Sequence, residues 1–242
     1  GYVAAARDLN LSAASLSNQR LDASKKQAII TADNVILDIT GAMQNSGDVY
    51  AKSNAEVNAQ TLNNDKGNLS AEKTLAVAVK TDLSNKEGSL TAGGNATITG
   101  RNLDNTAGQI GSQTGNLTLK LKGVLSNDAG SKKGTIAAAQ GVSDIRASSV
   151  SNQGGAIYAH TTNIGTGSIN NQQGEISAID NVKISASNLY NKSGTVFAQN
   201  GLDMALSGAI DSNQAGTIGA SNAVSLQAAS VNNAGGNVYS VN

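Results

Sequence analysis

One phrase recurs along this chain: an aliphatic residue, any residue, Asn, two residues, Gly, any residue, a second aliphatic, any residue, and a small residue. It reads in full as Val150-Ser151-Asn152-Gln153-Gly154-Gly155-Ala156-Ile157-Tyr158-Ala159. The same spacing holds at Leu62/Asn64/Gly67/Leu69/Ala71, Leu83/Asn85/Gly88/Leu90/Ala92, Leu103/Asn105/Gly108/Ile110/Ser112, Ile169/Asn171/Gly174/Ile176/Ala178, Leu189/Asn191/Gly194/Val196/Ala198 and Val231/Asn233/Gly236/Val238/Ser240. Looser copies surround Gly47, Gly134 and Gly216, and successive glycines of the phrase stand 19 to 26 residues apart. A unit of about 21 residues cannot bury an apolar face by itself, so it must stack on its neighbours.

Within each repeat a second apolar alternation follows the small residue, as in Val35/Leu37/Ile39, Leu117/Leu119/Leu121 and Leu202/Met204/Leu206. Alternation of this kind is strand periodicity, and no stripe of 3.6-residue period is long enough for a helix. A leucine-rich repeat of the same length would need its own fixed Leu spacing and often a helical return, and neither is found. Pro is absent, as a fully paired sheet requires. The pattern predicts an all-β chain: a parallel β-helix, a solenoid of about eleven coils with roughly 21 residues per coil. Coils about 4.8 Å apart would give a rod of about 50 Å. Aromatics are 2% of the residues and Trp is absent, which suits a narrow aliphatic core. The Asn/Gly corners are expected to hold left-handed backbone. The recurrent Asn fits either a ladder of stacked side-chain amides or backbone tolerance alone, and both uses favour the same residue.

Residues 1–242 read as one β-helical segment excised from a larger protein, less regular over 1–42 and regular over 43–242. Gly1, Val3 and Ala5 look like the end of an earlier phrase. Leu16-Ser17-Asn18 opens a phrase whose Gly is replaced by Ala28, across a corner about seven residues longer than usual. Asn127 to Gly134 is a second long corner. Both corners carry a lysine pair, Lys25-Lys26 and Lys132-Lys133, in the place where a solenoid tolerates insertions.

Seventeen basic residues balance seventeen acidic ones without a basic block, which argues against a nucleic-acid groove or an anionic membrane face. No apolar run approaches the roughly 18 residues of a membrane span. There is no Cys, and His160 is the single histidine, so thiolate and multi-histidine metal sites are excluded. No cofactor is implied. A lone His in the polar Thr161-Thr162 stretch reads as a solvated loop residue. Carbohydrate-active β-helices need carboxylates gathered on one face. Here Asp38, Asp48, Glu56, Glu72, Glu87, Asp144, Glu175 and Asp203 fall at unrelated repeat positions.

Four of the six aromatic residues, Tyr50, Tyr158, Phe197 and Tyr239, occupy the third position after the Gly, which strand alternation turns outward. Tyr158, Phe197 and Tyr239 fall on alternate coils and should stand about 10 Å apart. Such a column is either a contact strip for a partner or a shield over flat sheet, and the shield is the favoured use.

Leu103-Asp104-Asn105-Thr106-Ala107-Gly108-Gln109-Ile110 and its sisters resemble the haemagglutinin repeats of filamentous haemagglutinin and of the exoproteins of contact-dependent growth inhibition systems. The resemblance covers nearly the whole chain and is weakest before Met43. It implies a right-handed β-helix, secretion through an outer-membrane two-partner secretion transporter, and display on the surface of a Gram-negative bacterium. The expected function is a stalk that presents a distal adhesive or toxic module. The alternatives are a β-helix whose own face contacts a target-cell receptor or glycan, and a β-helical carbohydrate-active enzyme. The shared motif is structural, so it transfers no functional residue.

Overall fold

The computed structural model describes residues 1–20 and 28–242. Among the described residues there are 28 strands and no helix, joined in one continuous sheet wound upon itself. Every strand pairing is parallel, in a solenoid of about eleven turns. One turn consists of Ser89–Ala92, Ala96–Gly100 and Asn102–Asp104, and the next of Gln109–Ser112, Leu117–Leu121 and Val124–Ser126. Leu90 pairs with Ile110, Ile98 with Leu119 and Leu103 with Leu125, so matching letters of the repeat lie directly above one another.

The two-residue period turns one aliphatic set inward on every strand, and stacking converts each inward position into a file. Val49, Leu69, Leu90, Ile110, Ile136, Ile157, Ile176, Val196 and Ile218 form one such file and expose no surface. The second alternation is equally buried at Val35/Leu37/Ile39, Leu117/Leu119/Leu121 and Leu202/Met204/Leu206. Two hydroxyls interrupt these files without a signal in the repeat. Ser143 and Thr162 are register partners and wholly buried, and the Thr162 hydroxyl donates to the Ser177 carbonyl at 3.0 Å.

The first residues continue the same files, with Val3 beside Ile30, Leu11 beside Leu37 and Leu16 beside Met43. Ala28 does stand in the glycine file: it is buried, and its carbonyl accepts the Asp48 N–H at 2.8 Å. The long corner with Lys25-Lys26 lies outside the described residues. At the second long corner Lys132 and Lys133 are exposed, and the Gly134 N–H donates back to the Asp128 carbonyl. Two early turns depart from the expected short strands. Ile29–Asn45 and Asp48–Asn63 run on around the corners, with register shifts after Ala32 and Ile39.

The recurring Asn forms the amide ladder. From Asn18 through Asn45, Asn64, Asn85, Asn105, Asn127, Asn152, Asn171, Asn191 and Asn213 to Asn233, each Nδ2 donates to the Oδ1 of the next turn at 2.6–2.8 Å. The second amide proton faces backbone carbonyls; for Asn85 these are Gly88 and Gln109 at 3.3 and 3.2 Å. A flipped amide would aim its oxygen at those carbonyls, so the orientation is fixed and the ladder has one direction along the rod.

The glycine serves a different purpose from the one expected. The left-handed residue of the corner is the one before it: Lys66, Glu87, Ala107, Gln173, Ser193 and Ala215 have φ of 52–58°. The skeleton glycine is needed for space. A Cβ at Gly67, Gly88, Gly108, Gly174 or Gly194 would press into the backbone carbonyl of the previous turn's Asn. Glu87→Gly, which relieves the left-handed strain and leaves the ladder intact, is expected to raise stability by about 1 kcal/mol, measured as a shift in the urea midpoint.

Candidate functional site

Corner, strand and outward column together decide what the surface can offer. Tyr50, Tyr158, Phe197 and Tyr239 all lie in one outward file, in the order Tyr50, Ser70, Thr91, Gly111, Ala137, Tyr158, Ser177, Phe197, Gly219, Tyr239. The last three aromatics alternate with small residues, as the spacing requires. Tyr158 is 44% and Tyr239 41% exposed, while Tyr50 and Phe197 are partly buried. The Tyr239 ring lies over Gly219, 3.1 Å from where a Cβ would sit. That contact covers backbone at a side-chain gap. Tyr50 and Tyr158 bracket a shallow concavity floored by Ser70, Thr91, Gly111 and Ala137.

His160 is exposed, within the strand Ala156–Gly165 rather than in a loop. The acidic residues are dispersed. Asp38 has Ser12 and Asn58 as register partners, Glu56 has Ile36 and Ala76, Asp144 has Thr118 and Asn163, and Glu175 has Ala156 and Thr195. No carboxylate among these faces another across the ladder. Among the described residues no three His, Asp or Glu side chains gather in a group able to hold a metal ion. Among the described residues no helix is long and apolar enough to cross a membrane.

The perturbed ionisations are explained by cross-turn pairs on the surface. The Arg101 guanidinium, 3.0 Å away, and the Asn102 amide hold Asp82 below the usual carboxylate range. Partial burial pulls Asp104 upward, but the Thr106 hydroxyl and N–H and the Lys86 ammonium outweigh it and hold it low. Asp104 in turn raises Lys86. The Tyr50 phenol is raised because it donates to Glu72, and Tyr190 is raised by Asp211.

The signs fix a pH window. Depressed carboxylates stabilise the fold above their unfolded values and lose that contribution as pH falls through the folded ones. Raised Lys and Tyr groups stabilise below their unfolded values and lose it as pH rises. The melting temperature is therefore expected to stay level between about pH 5 and pH 9, with decline only outside that range. A step near neutrality in thermal melts would contradict this.

Sequence reasoning missed a corner trough beside the second strand of six successive turns, because its shape depends on small residues in adjacent files. It is lined by residues from Asp38 to Arg146, including Ala78, Lys80, Gly100, Lys120 and Lys122.

With this geometry in view, comparison with known proteins gives one positive result. The haemagglutinin repeat model matches residues 1–47, 37–87 and 181–242, together more than half of the chain. Neither a search of curated proteins nor one of solved structures returns a match. Between the matched segments, Asn105, Asn127, Asn152 and Asn171 carry the ladder without a break, so the same structural unit spans the unmatched stretch. By the matched segments and by the continuity of their shared spine, the chain belongs to the haemagglutinin repeat family.

Proposed function

We propose that this segment is a stalk: part of a large secreted bacterial surface exoprotein, holding a distal adhesive or toxic module away from the producing cell. The observation that carries this reading is the unbroken register from Asn18 to Asn233. A directional ladder and continuous core files make a rod that resists bending and compression, while the dispersed carboxylates give it no centre for acid–base chemistry. The role is mechanical rather than enzymatic. Membership of the haemagglutinin repeat family supports export through an outer-membrane two-partner transporter and display on a Gram-negative surface. The test is in-phase deletion of residues 1–242 from the parent exoprotein. Electron microscopy should show a filament shorter by about 50 Å, with target-cell binding retained; loss of binding would contradict the stalk reading.

A second reading is favoured by the exposure of Tyr158 and Tyr239 in one file: the aromatic column itself contacts a receptor or glycan on the target cell. Under the stalk reading the Tyr158→Ala/Phe197→Ala/Tyr239→Ala variant, folded by circular dichroism, keeps any binding seen on a glycan array or in a pull-down with target outer membranes. A loss of tenfold or more would establish the strip.

A further inference from the structure

The corner trough has chemistry that the stalk reading leaves unused. Its cavity measures about 990 Å³. One rim is the outward file Asp38, Asn58, Ala78, Thr99, Lys120, Arg146. The floor is the outer edge of the core, Ile39, Ala59, Val79 and Leu121, each only 3–7% exposed, with half-buried Gly100 deepening it between the last two. Lys80 and Lys122 stand on the opposite rim. Six successive turns make it about 24 Å long.

Charge is distributed unevenly along this length. At the N-terminal end the Asn58 amide is shared between Asp38 and Glu56, at 2.8 and 2.9 Å. Lys80 stands at mid-length and Lys120 and Lys122 toward the other end, and none of the ion pairs among the described residues includes them. Arg146 is engaged by Asp144 at 3.0 Å. A polyanion lying along the trough would meet Asp38 and Glu56, and no aromatic lines it for base stacking. A peptide strand finds no free edge, because Ala96–Gly100 and its neighbours are paired on both sides. An apolar floor with unpaired cations at one end suits a molecule with one anionic head and one apolar chain.

We propose that the trough binds a long-chain fatty acid, its carboxylate between Lys120 and Lys122 and its chain along Leu121, Val79 and Ala59 toward Ile39. An acyl chain spans about 15 Å, half the hydrocarbon thickness of a bilayer, which fits the available length with room for the head. The lysine stems would cover the chain while their ammonium groups stay in water.

The test is calorimetric titration of the full 242-residue chain with hexadecanoate below its aggregation concentration. Saturable one-to-one binding is expected, with octanoate and hexadecyltrimethylammonium each at least tenfold weaker. The double variant Lys120→Glu/Lys122→Glu, altered only at exposed positions, should weaken hexadecanoate at least tenfold without moving the melting temperature. Ala78→Phe, which fills the trough from an exposed position, should do the same. Absence of hexadecanoate binding, equal binding of the cationic amphiphile, binding that survives both variants, or tighter binding of dextran sulfate would each overturn the proposal.

Discussion

Asn105→Asp is expected to destabilise the protein by about 4 kcal/mol at neutral pH. Asn105 is completely buried. Its Oδ1 accepts from Asn85 at 2.7 Å, and its Nδ2 faces Asn127 Oδ1 at 2.7 Å and the carbonyls of Gly108 and Thr135 at 3.3 and 3.1 Å. Aspartate keeps the acceptor but sets a second, charged oxygen against three others, with no cation in the interior to offset it. Protonation restores a donor, so the new carboxyl has a raised folded-state pKa. By linkage its penalty is smallest below the unfolded value near pH 4 and grows as pH rises through the folded one. Asn105→Leu removes the charge but strands Asn85 Nδ2 and Asn127 Oδ1, at a cost of about 3 kcal/mol without pH dependence. Urea titrations of both variants at pH 7 and pH 4 separate these effects. A loss under about 1 kcal/mol for aspartate at pH 7, or one that grows on acidification, would show that the ladder contributes little.

Gly155→Ala should cost about 3 kcal/mol or more, at the upper end of overpacking effects. The added methyl would meet the Asn127 carbonyl well inside contact distance, with Asn152 Oδ1 at 2.7 Å. Neither neighbour can retreat. The Asn127 carbonyl belongs to the turn below, held at its spacing by bonds such as Ala156 N–H to the Gly134 carbonyl at 2.8 Å, and Asn152 Oδ1 accepts from the ladder. Gly235 is the control. Its φ is 68° and nothing lies within 4 Å of a Cβ there, so Gly235→Ala should cost only the left-handed strain, about 1 kcal/mol. Comparable losses for the two variants in thermal melts would contradict the assignment of space to one glycine and backbone conformation to the other.

Much of this was legible from the repeat because stacking translates letters into places. Leu69, Leu90 and Ile110 share a file because they share a letter, and Tyr158, Phe197 and Tyr239 share one for the same reason. The left-handed position was not legible. Lys66, Glu87 and Gln173 have no common side-chain chemistry, and the turn above imposes their conformation by claiming their N–H groups, as Lys86 claims that of Lys66 at 2.9 Å. The choice between an amide ladder and backbone tolerance needed the geometry, since both predict Asn. His160 was misplaced in a loop because Thr161-Thr162 looks like a polar corner, although Thr162 points into the core. The trough stayed hidden because Ala59, Ala78 and Gly100 matter there for volume and carry no motif.

The stacking itself can be tested by disulfide mapping, since the chain has no cysteine. Thr97 and Thr118 are register partners on adjacent turns, where parallel strands lie about 4.8 Å apart, within disulfide reach. Thr97 and Lys120 share a face but are two residues out of register, a diagonal of about 8 Å, which is too far. Under mild oxidation the Thr97→Cys/Thr118→Cys variant should close completely and Thr97→Cys/Lys120→Cys should stay reduced. Equal closure of the two pairs, or closure of the second alone, would contradict turn-on-turn registry and the rod built on it.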